Sequence, residues 1–88
     1  MNWNKRTVRE LVACNLKRHQ PRKFALAAKE VVRDGEYWYV LVQPDKSGVR
    51  AFDYNGNLAD TEEDIRQHER QPPNLLLIPV LPPDADGR

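Results

Sequence analysis

The chain has 88 residues, a mass of 10.2 kDa and a net charge of +1, enough for one small domain with one core. Its single cysteine excludes an internal disulfide and a cysteine-built zinc site. No apolar run approaches the roughly 20 residues of a membrane span, and MNWNKRTVRE lacks the apolar stretch of a secretory signal. A soluble, cytoplasmic protein is therefore expected. Leu, Ile, Val and Phe number 21 of 88, above the level at which chains tend to stay disordered. The near-neutral total conceals a division: residues 1–33 carry +7 and residues 34–88 carry −6.

Helical periodicity first appears over residues 4–20, where Val8, Leu11, Val12, Leu16 and His19 recur on one face. Thr7 and Glu10 match a capping box, and Asn4 is an alternative cap. Gln20-Pro21 should end this helix, because the residue before a proline is pushed out of the α region. Asp34-Gly35 is a signal for a type I′ turn, and the aromatic, β-branched run Tyr37–Val42 follows it. This predicts a hairpin pairing Phe24–Arg33 with Glu36–Gln43. A helix over residues 24–33 stays open as an alternative, since Phe24, Ala27, Ala28, Val31 and Val32 also form a helical stripe.

Val49–Tyr54 reads as a third strand, with Asn55-Gly56-Asn57 as the turn after it. A second helix is expected from Leu58 to Gln71, with acids in its first turns and Arg66, His68 and Arg70 at its end. That order complements the helix dipole. Pro72-Pro73 should stop it. The run Leu75–Ile78 suggests a strand covered on both faces, and Pro79 restricts its pairing. The expected fold is α+β: a two-layer sandwich of order α-β-β-β-α-β. Its four-stranded sheet is mainly antiparallel, with helices on one face. Residues 1–81 form the domain in this reading, and residues 82–88 a disordered tail.

Alternation places Trp38, Val40 and Val42 on one side of the central strand and Tyr37, Tyr39 and Leu41 on the other. Val8, Leu11, Val12 and Ile65 should complete the core on the Trp38 side. With both helices there, nothing remains to cover the tyrosine side. An exposed surface of that kind marks an interaction site, unless the tyrosines stand half-wet and loops or the tail cover the leucines. The leading expectation is thus a non-catalytic protein-interaction module, most simply a homodimer. Its contact residues would be Tyr37, Tyr39 and Leu41, supported by Phe52 and Tyr54.

Catalytic and ligand-binding patterns add little. Ser47 lies in a Pro-Asp-Lys-Ser-Gly loop without a nucleophile-elbow context. Cys14 and His19 are rotated about 140° apart on a helix, so a buried or half-buried structural cysteine is the expectation. Asp64 and His68 share a helix face as two potential metal ligands, but a surface Asp–His contact accounts for them. Glu62 and Glu63 are adjacent and point about 100° apart. No phosphate-binding glycine motif is present, and no cofactor, metal, small-molecule ligand or membrane contact is expected. The second functional expectation is nucleic-acid binding by the basic helix and the loop after it, through Lys17, Arg18, Arg22 and Lys23.

Overall fold

A computed structural model describes residues 3–80; the tail expected at 82–88 lies outside them. Helix α1 spans Lys5–Leu16 and tightens into a 3-10 turn over Lys17–His19. Asn4 is its cap. The Asn4 side chain accepts from the Thr7 amide, and the Thr7 hydroxyl accepts from the Asn4 amide, both at 2.9 Å. The Thr7–Glu10 box is thereby displaced by a reciprocal pair one turn earlier. Gln20 leaves the helix with an extended backbone, as its proline neighbour demands. Its side chain then bridges to the sheet. The amide nitrogen donates to the Leu16 and Leu26 carbonyls, and the oxygen accepts from the Leu26 amide at 2.7 Å.

Strands β1 (Leu26–Asp34) and β2 (Tyr37–Pro44) form the expected antiparallel hairpin, so residues 24–33 do not form a helix. The turn differs by one residue. Asp34 pairs with Tyr37, leaving Gly35-Glu36 as the loop. Gly35 has φ of +64°, and no non-glycine residue among those described has positive φ. This sign pattern fits a type II′ turn, which needs glycine only at its first central position. A bulge between Ala28 and Glu30 interrupts β1.

The expected third strand at Val49–Tyr54 is absent. Ala51–Asp53 forms a 3-10 turn instead, and helix α2 follows at once over Asn55–His68. The Asp53 carboxylate accepts from the Arg50 amide at 2.9 Å, a local bond that competes with strand pairing. Tyr54 is drawn into the core, with 1% exposure. It meets Phe24 edge to face at 6.0 Å, and its hydroxyl donates to the Val80 carbonyl. Because α2 starts at Asn55, the acids at 60–64 fall beyond its first turn. Only Arg66 and His68 in the last turn complement the dipole.

Strand β3 (Asn74–Pro79) runs parallel to β2, pairing Tyr37 with Asn74 through to Val42 with Pro79. The sheet is three-stranded and mixed, in the order β1-β2-β3, and the chain order is α-β-β-α-β. The expectation of four mainly antiparallel strands fails because β2, α2 and β3 form a parallel crossover unit. Both helices pack against the sheet. Val8, Val12 and Leu16 of α1 and Leu58, Thr61 and Ile65 of α2 are buried with Trp38, Val40, Val42 and Leu77. Leu11 is packed at the rim of this core. The product is a small compact α+β domain, and no described helix is long and apolar enough to cross a membrane.

Candidate functional site

The pleat divides the sheet into unlike faces. Trp38, Val40 and Val42 alternate inward along β2, while Tyr39, Leu41 and Gln43 between them are half-buried. Register then dictates their neighbours on the outer face. Tyr39 lies between Val32 of β1 and Leu76 of β3, and Leu41 lies between Glu30 and Ile78. Val32, Tyr37 and Leu76 are 40%, 49% and 42% exposed. Tyr37, Tyr39 and Leu41 therefore share an apolar surface with Val32, Leu76 and Ile78. Leu75–Ile78 is covered on one face only, because Leu77 alone of those four is fully buried. Val32 escaped the sequence reading of this surface. Only the pairing of β1 with β2 places it beside Tyr39.

The supporting aromatics go elsewhere. Phe52 sits in the 3-10 turn before α2, 82% exposed and off the sheet, while Tyr54 is a core residue. Burial raises the Tyr54 phenol above its ordinary pKa.

The two edges of the sheet are handled differently. The amide of Leu77 on β3 donates to the Glu62 carboxylate of α2 at 2.8 Å, so a helix side chain caps that strand. On β1 the bulge at Lys29 breaks the regular ladder. Arg33 lies 5.1 Å from the Trp38 ring centre, a cation–π contact at the hairpin end.

Of the expected anion contacts, Lys17 is exposed in the 3-10 turn, and Arg22 and Lys23 are exposed in the following loop. Arg22 and Lys23 line a cleft of about 460 Å³ with Phe24 and Lys46. Arg18 has a structural attachment instead. It donates to Asn15 and lies 3.4 Å from the Asp64 carboxylate. Asp64 also binds His19 at 3.0 Å and His68 at 2.6 Å, which joins the end of α1 to α2. The His19 hydrogen bond, aided by the charge of Arg18, holds the Asp64 carboxyl below its ordinary pKa. Among the described residues, no group of three or more His, Cys, Asp or Glu side chains is arranged to hold a metal ion.

Cys14 is exposed, against expectation. It follows Val12 by two positions, about 200° round the helix from the buried stripe. Ser47 is exposed in the β2–α2 connection, and both histidines are engaged with Asp64. No protein-family model matches the chain, nor does any curated protein or solved structure, so no relative's function bears on these sites.

Proposed function

We propose that this protein is a non-catalytic interaction module that self-associates through the outer face of its sheet. One observation carries the reading. Both helices occupy the Trp38 side, while Val32, Tyr37 and Leu76 stand 40–49% exposed on the other, beside half-buried Tyr39, Leu41 and Ile78. A second copy is the partner that best suits it. The same patch is then used twice, as a two-fold dimer requires, and apolar side chains meet apolar side chains. The ionised residues paired within this surface, Glu30 opposite Leu41 and Asp34 opposite Tyr37, are both exposed on the edge strand β1, where contact can leave them in a solvated rim. Association by strand addition is less favourable, since Glu62 caps the β3 edge and a bulge interrupts β1.

Size limits the strength. Three strands spaced about 4.8 Å apart and some 20 Å long present roughly 300 Å² in projection, against about 800 Å² per partner in a standard interface. The dimer is accordingly a small-interface complex. A cytoplasmic setting belongs to the same proposal, because the exposed thiol of Cys14 suits a reducing compartment.

Sedimentation from low to high micromolar concentration tests the reading. The expected result is a rise toward twice the monomer mass, abolished in the Tyr37→Ser/Leu76→Ser double variant without loss of fold. A strict monomer throughout, or a double variant that associates as well as the parent, would overturn it.

A further inference from the structure

At the β1 edge of the sheet, the first turns of α1 and the bulged part of β1 enclose an open cleft of about 340 Å³. Its lining is Lys5, Arg6, Arg9, Lys29, Glu30 and Val31. The placement follows from two local rules. Lys5, Arg6 and Arg9 are three and four positions apart and share one helix face, and the bulge at 28–30 brings Lys29 into the opposite wall. None of these four cations makes a hydrogen bond or ion pair with another described residue. Glu10 and Glu30 are the acids of residues 1–33, and neither is within ion-pair distance of them. Four cations against the single carboxylate of Glu30 leave the lining with a net charge of +3, so the cleft gains from an anion that enters it.

We propose that this cleft binds the phosphate backbone of a nucleic acid without reading its bases. Phosphate suits the donors, since guanidinium groups fork onto phosphate oxygens and ammonium groups supply point charges. A polymer is favoured over a free phosphorylated molecule for two reasons. The cleft is open, whereas small-molecule sites enclose most of their ligand. Three further cations without ion pairs, Arg22, Lys23 and Lys46, line the second cleft at the start of β1. Phe24 in that cleft is five residues before Lys29, at most about 17 Å along the chain, or roughly five base pairs. The set of cations differs from the one legible in sequence. Arg18 is committed to Asp64 and Asn15, and the leading contributors are Lys5, Arg6, Arg9 and Lys29.

The test is fluorescence anisotropy with a labelled mixed-sequence DNA duplex over a range of salt concentrations. Binding should be insensitive to sequence and weaken steeply with salt. Arg6→Ala/Arg9→Ala should bind at least tenfold more weakly, with the log–log salt slope shallower by about 1.8, or about 0.9 for each phosphate no longer neutralised. Lys29→Ala, from the opposite wall, should flatten it by about 0.9. Lys17→Ala, an exposed cation outside both clefts, should match the parent. The monomeric Tyr37→Ser/Leu76→Ser variant should retain binding at this separate site, so failure of the dimer proposal leaves this one standing. Absence of salt-dependent binding, or equal losses in Lys17→Ala and Arg6→Ala/Arg9→Ala, would overturn the site. Competition by pyrophosphate at equal phosphate concentration would overturn the polymer and assign the cleft to a small phosphorylated molecule. Equal competition by polyglutamate would overturn it in favour of an acidic protein.

Discussion

The two faces of one short strand, β2, show how differently the same residue classes can be used. Inward, Trp38, Val40 and Val42 are buried in the core with residues of both helices; outward, Tyr39 and Leu41 lie between their ladder partners, and Tyr37 lines a cleft at the sheet end with Arg66 of α2. The inner set stabilises the fold through burial at about 25 cal/mol per Å² of apolar surface. The outer set retains part of that surface for another molecule. Hydrophobicity alone does not separate structural from interacting residues here; which face the helices cover does.

The largest effect should come from the covered side. Ile65→Ala removes a side chain packed between α2 and the sheet and should cost about 2–5 kcal/mol. Thermal unfolding should show a fall in Tm of at least about 8 °C for a domain of this size. A near-parental Tm would mean that α2 adds little to the core, and the contrast between faces would collapse.

Tyr54→Phe comes next. It keeps the ring in the core but loses the hydroxyl bond to Val80, for an expected loss of about 1 kcal/mol by denaturant titration. Smaller again is the acid dependence of the Asp64 junction. Its pKa is lowered in the folded protein, so its stabilisation is present above the ordinary carboxylate range and is lost as pH falls through the folded value. Asp64→Asn should lower Tm near neutral pH and reduce the difference in Tm between neutral and strongly acidic solution. Least of all, Leu76→Ser should change stability by no more than about 0.5 kcal/mol, since Leu76 is already 42% exposed. A loss there as large as that of Ile65→Ala would show that the outer face serves the fold after all.

Much of this contrast could be read from the chain. The alternation through Tyr37–Val42 assigned the two sides of β2, and the stripe of Val8, Val12 and Leu16 identified the inner face of α1. What stayed hidden depended on contacts between distant segments. Tyr54 looks like a strand residue until Phe24 and Val80 are brought against it. Asn55-Gly56-Asn57 has turn chemistry, yet it forms the first turn of α2 because Tyr54 is anchored immediately before it. The parallel direction of β3 leaves no mark in the run Leu75–Ile78, since strand direction follows from the crossover. The basic cleft was half legible: the +7 charge of residues 1–33 pointed to a basic surface, but Lys29 joins Lys5, Arg6 and Arg9 only through the bulge.

The parallel pairing of β3 also has a kinetic consequence. Tyr37 faces Asp34 across a two-residue loop on one side and Asn74, beyond a whole helix, on the other. The hairpin can close by local search, whereas β3 must wait for α2 to form and swing across, so it docks late and detaches early. A third of the outer surface, Leu76 and Ile78, arrives with that last strand. A partner seated there would act as a clamp on it, slowing amide exchange most in the segment that the free monomer releases first.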